Sequence, residues 1–287
     1  MLKKLFKYEW KSTSKVGVGL MVTALGMTLL AMLTLQIMFH FGSDENLSAF
    51  GIIGIIYSVL AILMFVICLI GVVYGMTIYL GVRFYKSMYR DEGYLSHTLP
   101  VTTHELLLSK ILVGGIWSVL MLITMGVSYF LFFSCMYSMA EELNFFSAMS
   151  EFAGETLRMY GKLGMTDKVF VIATIVSAIL GCFSAVSTLY GSLTLGQLVK
   201  KHRGLMGFVF YIGSMFVIWI LALIGNIPFA IRQAKSYANY TPTDDMEISV
   251  VAMNFSQTLV TLVVSIVVGV VFYFIAHYIN ERKLNLE

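Results

Sequence analysis

Residues 79–110 read YLGVRFYKSMYRDEGYLSHTLPVTTHELLLSK, and this stretch decides how the chain is laid out. It is the one sizeable polar interruption that carries several turn and cap signals, and long apolar runs lie on both sides of it. Arg90, Asp91 and Glu92 form a charged cluster that a helix carries only in water or at a headgroup surface. Gly93 then breaks the helix. Pro100 has no backbone N–H to donate and biases Leu99 toward an extended conformation, so the chain turns before a new helix begins. Thr102 and Glu105 have capping-box spacing, as N-cap and N3, just ahead of the apolar LLLSKIL. The expected order is helix, break, short amphipathic segment, turn, capped helix. Such a hairpin between two spans is a place where a soluble partner can push on a membrane domain.

Outward from that hairpin the chain is mostly apolar. Of its 287 residues 59% are hydrophobic and 12% charged, with a mean hydropathy of +0.85, which leaves too little polar surface for a soluble globule. The expected class is an all-α polytopic membrane protein. A bilayer core of about 30 Å needs about 20 apolar residues per helix. Six segments qualify: Val16 to Phe39, Phe50 to Val82, Ile111 to Met139, Val169 to Leu198, Leu205 to Ile231 and Val250 to His277. The second and fourth exceed that length and are expected to tilt or to project helically from the membrane. The whole chain, 1–287, reads as one transmembrane domain with three appendages: an N-terminal interfacial helix (1–15), a cytosolic segment (83–110) and an outer loop (140–168).

In the N-terminal segment Leu2, Leu5, Phe6 and Trp10 recur at helical spacing, with Lys3, Lys4, Lys7 and Lys11 largely on the other side. That pattern predicts a short helix lying in the interface, its lysines on anionic headgroups. The apolar run after it is too long for the h-region of a signal peptide, about 7 to 15 residues, and reads as an uncleaved span. Lys and Arg set the orientation. Fourteen of the nineteen fall in the N-terminal segment, residues 83–110, the Lys200 to Arg203 turn and the C-terminal tail, and five on the other side. The positive-inside rule then puts both termini in the cytosol. The outer loop is long enough for a surface helix with Phe145, Phe146, Met149, Phe152 and Leu157 toward membrane or bundle and Glu151, Glu155 and Arg158 more exposed; a lid over an exit path is the sharper alternative. GVVYG, residues 71–75, has the small-xxx-small spacing of close helix approach. Cys68, Cys135 and Cys182 stand singly in apolar runs and read as small buried side chains without metal or redox duty.

Several chemistries lack their residues. None of the six spans contains Asp, Glu, Lys or Arg, whereas proton relays and ion pathways are marked by such groups. No G-x-x-x-x-G-K-[ST] occurs, so the chain has no P-loop to cradle ATP phosphates. His97 and His104 flank Pro100, with Glu105 next to the second, but without metal-ligand spacing. No metal or cofactor is expected. His40, His202 and His277 sit near span ends. The many Ser and Thr within spans have no acid partner for proteolysis, so their expected role is interhelical hydrogen bonding.

Taken together, GYLSHTLPVTTHELLLSK (93–110), the N-terminal amphipathic helix and SLTLGQLVKKHRG at the end of the fourth span resemble membrane permease subunits of ATP-binding cassette transporters, in the type 2, exporter-like class common in Gram-positive bacteria. The likeness runs over nearly the whole chain as a pattern and is most specific between Gly93 and Lys110. It implies that the loop between the second and third spans is a coupling hairpin on a separate ATPase subunit. Arg90, Asp91, Glu92, Gly93, Tyr94, Leu95, His97, Leu99 and Pro100 would then contact or position that ATPase, and the N-terminal helix would be a membrane-interface elbow. An ordinary structured cytosolic loop is the alternative. It also implies a second permease copy or paralogue as partner, location in the cell membrane, and no nucleotide site or enzymatic activity of the chain's own. Nothing points to nucleic acid. One departure is that well-studied members carry re-entrant helices between the fifth and sixth spans, whereas Arg232 to Ser249 is short and polar. Spans rich in Met, Phe, Tyr and Leu suit an amphipathic or lipid-like cargo, though the same residues face lipid in any bundle. Two readings from other classes stand beside the transporter: a non-transporting sensor or immunity protein against membrane-active peptides, and an integral membrane enzyme.

Overall fold

The computed structural model describes residues 2–42, 49–90, 101–141, 143–238 and 246–282. The described residues form seven helices in the order α1 (Leu2–Gly42), α2 (Ala49–Tyr89), α3 (Thr103–Ala140), α4 (Phe145–Lys162), α5 (Met165–Gly196), α6 (Arg203–Ala238) and α7 (Met246–Arg282). All but α4 are long and apolar enough to cross a membrane. Their outward faces carry large apolar side chains, among them Leu33 on α1, Ile67 on α2, Trp219 and Ile224 on α6 and Phe274 on α7, each more than half exposed. Water would not tolerate so continuous an apolar surface, and a bilayer does. The protein is an all-α polytopic membrane protein.

The six spans lie where the apolar runs predict them, and the helix predicted in the outer loop is α4. Its exposed face includes Phe146 and Leu157 together with Glu151, Glu155 and Arg158, while Ala148 is buried. The N-terminal segment is amphipathic as expected, with Lys3, Lys4, Lys7, Lys11 and Lys15 exposed and Leu2, Leu5, Phe6 and Trp10 half-buried, the last two rings stacked at 6.0 Å. It is not a helix of its own, however. No break separates it from the first span, because no Gly, Pro or turn signal lies between Leu2 and Val16 and the backbone hydrogen bonds run on. Likewise α2 projects beyond its apolar run to Tyr89, and α3 begins at Thr103, eight residues before the apolar run that the sequence marks.

By its contacts the chain divides into two compact units. One comprises Lys11–Ile78 and Trp117–Lys162. Its centre holds Phe65 stacked on Phe132 at 4.6 Å, with Leu69, Met76 and Cys135 buried nearby in sequence, and Phe152 of α4 lies 5.7 Å from Phe130. GVVYG does not make a close helix approach here: a side chain at Gly71 would meet nothing within 4 Å, and one at Gly75 only Leu20 at 3.8 Å. Cys68 and Cys182 are half-buried, and all three cysteines are free thiols.

The other unit comprises Met1–Trp10, Tyr79–Ile116 and Leu163–Glu287. Within it α5 packs most extensively on α7 and also on α6. The α5–α7 seam is built from small residues: Ser184 donates to the Ser265 carbonyl, Ser187 to the Gly269 carbonyl at 2.7 Å, and a Cβ at Gly191 would lie only 2.6 Å from the Phe272 carbonyl oxygen. Only glycine admits that approach. Between α5 and α6 the chain turns through His202, whose φ of 51° is the one left-handed non-glycine conformation among the described residues, and the His202 carbonyl then accepts from Met206 to open α6.

Candidate functional site

Three chain segments converge in this unit where α2 ends and α3 begins. Helical spacing brings Glu9 to the same side of α1 as Leu2, Leu5 and Phe6, so the only acid of the amphipathic segment lies on its half-buried face rather than among the lysines. There it meets two cations. Arg83 Nη2 lies 3.1 Å from Glu9 Oε2, and Lys110 Nζ bonds to Glu9 Oε1. Lys110 also donates to Ser87 Oγ at 2.8 Å, and Ser87, one turn beyond Arg83, passes its own hydrogen to the Phe84 carbonyl at 3.2 Å. The Lys110 side chain is only 4% exposed, and those of Glu9 and Arg83 are 17% and 23% exposed. Ionic groups withdrawn from water to this degree persist only when paired and hydrogen-bonded, and here one carboxylate serves two cations.

A second polar junction lies on α2 just beyond. Tyr89, its last residue, donates to Asn280 Oδ1 of α7 at 2.9 Å and lies 2.8 Å from Thr194 Oγ1 of α5. Phe84 stacks on Tyr190 of α5 at 4.1 Å with the rings nearly parallel, which seats the end of α2 against the α5–α7 pair. On the other side of residues 91–100, the Thr102 hydroxyl accepts from the Glu105 N–H at 3.3 Å and the Thr102 carbonyl from Leu106 at 3.1 Å, so the predicted N-cap is formed. His104 pairs with Tyr273 of α7 and lies 6.1 Å from the His277 ring, rather than grouping with Glu105 as a ligand set. Among the described residues no cluster of three or more His, Cys, Asp or Glu is placed to hold a metal.

Of the residues that the sequence nominates for coupling, Arg90 is described. It is exposed, just past the end of α2, with its guanidinium carbon 5.9 Å from the centre of the Tyr85 ring, a cation–π distance. Asp91, Glu92, Gly93, Tyr94, Leu95, His97, Leu99 and Pro100 lie outside the described residues. Of the elbow residues, Leu2, Leu5, Phe6 and Trp10 flank Glu9 on its face of α1. Sequence reasoning missed the cluster itself. Arg83 and Lys110 bound the interruption and count there as loop charges, yet both are helical, and Lys110 is buried two turns into α3. The available signal is Glu9, a lone acid on the apolar side of a lysine-rich amphipathic helix, which needs a buried cation.

No family model matches this chain, and neither a curated protein nor a solved structure matches it.

Proposed function

We propose that the chain is the membrane-spanning permease subunit of an ATP-binding cassette transporter of the exporter-like type, driven by a separate ATPase subunit. In this reading it works beside a second permease in the cell membrane, both termini are cytosolic, and residues 83–110 form the coupling element. The observation that carries it is the ion cluster of Glu9, Arg83 and Lys110, which ties the N-terminal helix to the end of α2 and the start of α3 on either side of residues 91–100. A partner that displaces those ten residues acts on two helices whose ends are locked rather than frayed. With no Asp, Glu, Lys or Arg in the six apolar runs to move charge across the membrane, conformational work has to enter from a partner with states of its own, and it does so only through differential contact with two states of the chain.

The test is coexpression with the P-loop ATPase encoded by a neighbouring reading frame. The two are expected to copurify, and ATP hydrolysis is expected of the complex and not of the chain alone. Hydrolysis by the chain after contaminating ATPases are removed, or its purification without any ATPase partner, sinks the reading.

A further inference from the structure

Helix α4, too short and too polar to be a span, sorts its 18 residues into three faces. One face is held by α3. Phe152 lies 5.7 Å from the Phe130 ring and 6.0 Å from the Tyr137 ring, which are two turns apart on α3, and Ala148, one turn before Phe152, is fully buried. The chain folds back onto α3 before α4 begins: the Leu143 N–H donates to the Ser138 carbonyl at 3.0 Å, and the Ser138 hydroxyl donates to the Leu143 carbonyl at 2.6 Å.

The second face is polar. Ser147, Ser150, Glu151, Glu155, Arg158 and Lys162 fall on one arc of the helix, and all six are exposed. The third is apolar. Phe146, Ala153, Leu157 and Tyr160 follow one another at intervals of seven, four and three residues, the spacing of a single stripe, and Phe146 is 78% and Leu157 71% exposed. The α3 contact lies between these two faces, with the polar arc on one flank and the apolar stripe on the other. The apolar residues that the sequence points toward membrane or bundle therefore divide, since Phe152 meets α3 while Phe146 and Leu157 face away from it.

What covers the stripe follows from what lies beside it. Next to the Phe130 and Tyr137 contacts, α3 exposes Tyr129, Phe133 and Met136, which belong to the apolar surface that the bilayer covers. A helix seated beside a span, with charges on one flank and aromatic and aliphatic side chains on the other, has the build of an interfacial helix, whose apolar face sinks about 5–10 Å into the boundary between headgroups and acyl chains.

We infer that α4 docks on the lipid surface of the leaflet at which α3 ends, with Phe146, Ala153, Leu157 and Tyr160 seated at the headgroup and acyl boundary and the Glu151, Glu155 and Arg158 arc in water. The inference stands on the single chain and does not need the ATPase reading.

The test places a nitroxide spin label at single cysteines of the full chain, cysteine-free elsewhere, in nanodiscs of phosphatidylcholine and phosphatidylglycerol. Collisions of the label with oxygen, which concentrates among acyl chains, are compared with collisions with a water-soluble nickel chelate. Labels at Phe146→Cys, Ala153→Cys and Leu157→Cys are expected to favour oxygen, and labels at Glu151→Cys and Arg158→Cys to favour nickel. Phe133→Cys on α3 gives the reference for a side chain among acyl chains. Phe146→Asp with Leu157→Asp is expected to reverse the preference at Ala153→Cys toward nickel and to leave Phe133→Cys unchanged. Apart from Ala153, which is half-buried and gains one sulfur atom, every position changed is exposed, so the variants are expected to remain monodisperse. Three results each overturn the proposal: nickel favoured at Phe146→Cys and Leu157→Cys, shielding of those labels from both quenchers as under a protein partner or a second copy of the chain, and an oxygen preference at Ala153→Cys that survives the double change.

Discussion

The Tyr89 hydroxyl donates to Asn280 Oδ1 at 2.9 Å, joining the last residue of α2 to the last turns of α7 across 191 positions of sequence. Asn280 is 5% exposed, so its amide has little water to fall back on. Tyr89→Phe is expected to cost about 1–3 kcal/mol, the penalty of leaving a buried polar group unpaired, and Tyr89→Phe with Asn280→Leu less than the single change. Thermal unfolding in detergent, read as loss of the monodisperse peak, checks both.

The ion cluster makes a steeper prediction. Removing one partner of a buried pair leaves an uncompensated charge and costs about 3–5 kcal/mol, whereas replacing both by apolar groups of similar volume is often close to neutral. Glu9→Leu and Lys110→Met are each expected to lower the unfolding temperature strongly, with Glu9→Leu the worse because it strands Arg83 and Lys110 together. The double variant is expected to recover the part of the loss that comes from Lys110, while Arg83, still without its carboxylate, keeps the remainder. Equal stability of the single variants and the parent would show that the cluster is solvated.

Two glycines separate packing from helix propensity. Gly191→Ala places a methyl 2.6 Å from the Phe272 carbonyl oxygen, and overpacking of this kind costs about 1–3 kcal/mol. Gly213→Ala meets nothing within 4 Å and is expected to be neutral or to stabilise by up to about 1 kcal/mol, the helix preference of alanine over glycine. The same unfolding assay distinguishes them by sign.

Orientation is checked by labelling. In a cysteine-free background, Ser150→Cys on the exposed face of α4 is expected to react with an impermeant thiol reagent from outside the cell, and Ser96→Cys is not. The charge asymmetry of fourteen against five motivates the assignment. Reversed labelling overturns the placement of residues 83–110 in the cytosol.

Coupling is checked by a pair of matched changes. Leu95→Asp is expected to leave insertion intact and to weaken capture of the ATPase by about 2 kcal/mol or more, the cost of truncating a strong interface anchor. Leu157→Asp, on the exposed side of α4, is expected to leave capture nearly unchanged. Undiminished capture and turnover with Leu95→Asp would remove the segment from the coupling role.

What the sequence discloses here is set by distance along the chain. Spans declare themselves by apolar length, and the α3 start by Thr102 and Glu105, because the causes lie within one or two turns. The amphipathic N-terminal helix is legible for the same reason, and so is the general role of Ser184 and Ser187 as interhelical donors. The Glu9 cluster is not, since its partners stand 74 and 101 residues away and each looks like an ordinary headgroup charge in its own neighbourhood. GVVYG misleads because spacing describes one helix face and says nothing about what lies opposite. Gly191 matters because Phe272 is there; Gly71 has no such neighbour.

The α5–α7 seam also decides which helix is able to yield. Two hydroxyl-to-carbonyl bonds and the backbone contact at Gly191 bind those helices into a single beam, with little slack to part along its length. Helix α6 is pinned differently. Near its foot Gly207 lies against the Leu193 backbone, but farther out its glycine contact, at Gly225, meets only the Val260 side chain, and Pro228 removes one rung of its hydrogen-bond ladder. The backbone contact at Gly207 fixes that end of α6 against α5, while toward Pro228 the helix rests on side chains, so a deformation of this group of three helices meets less resistance there.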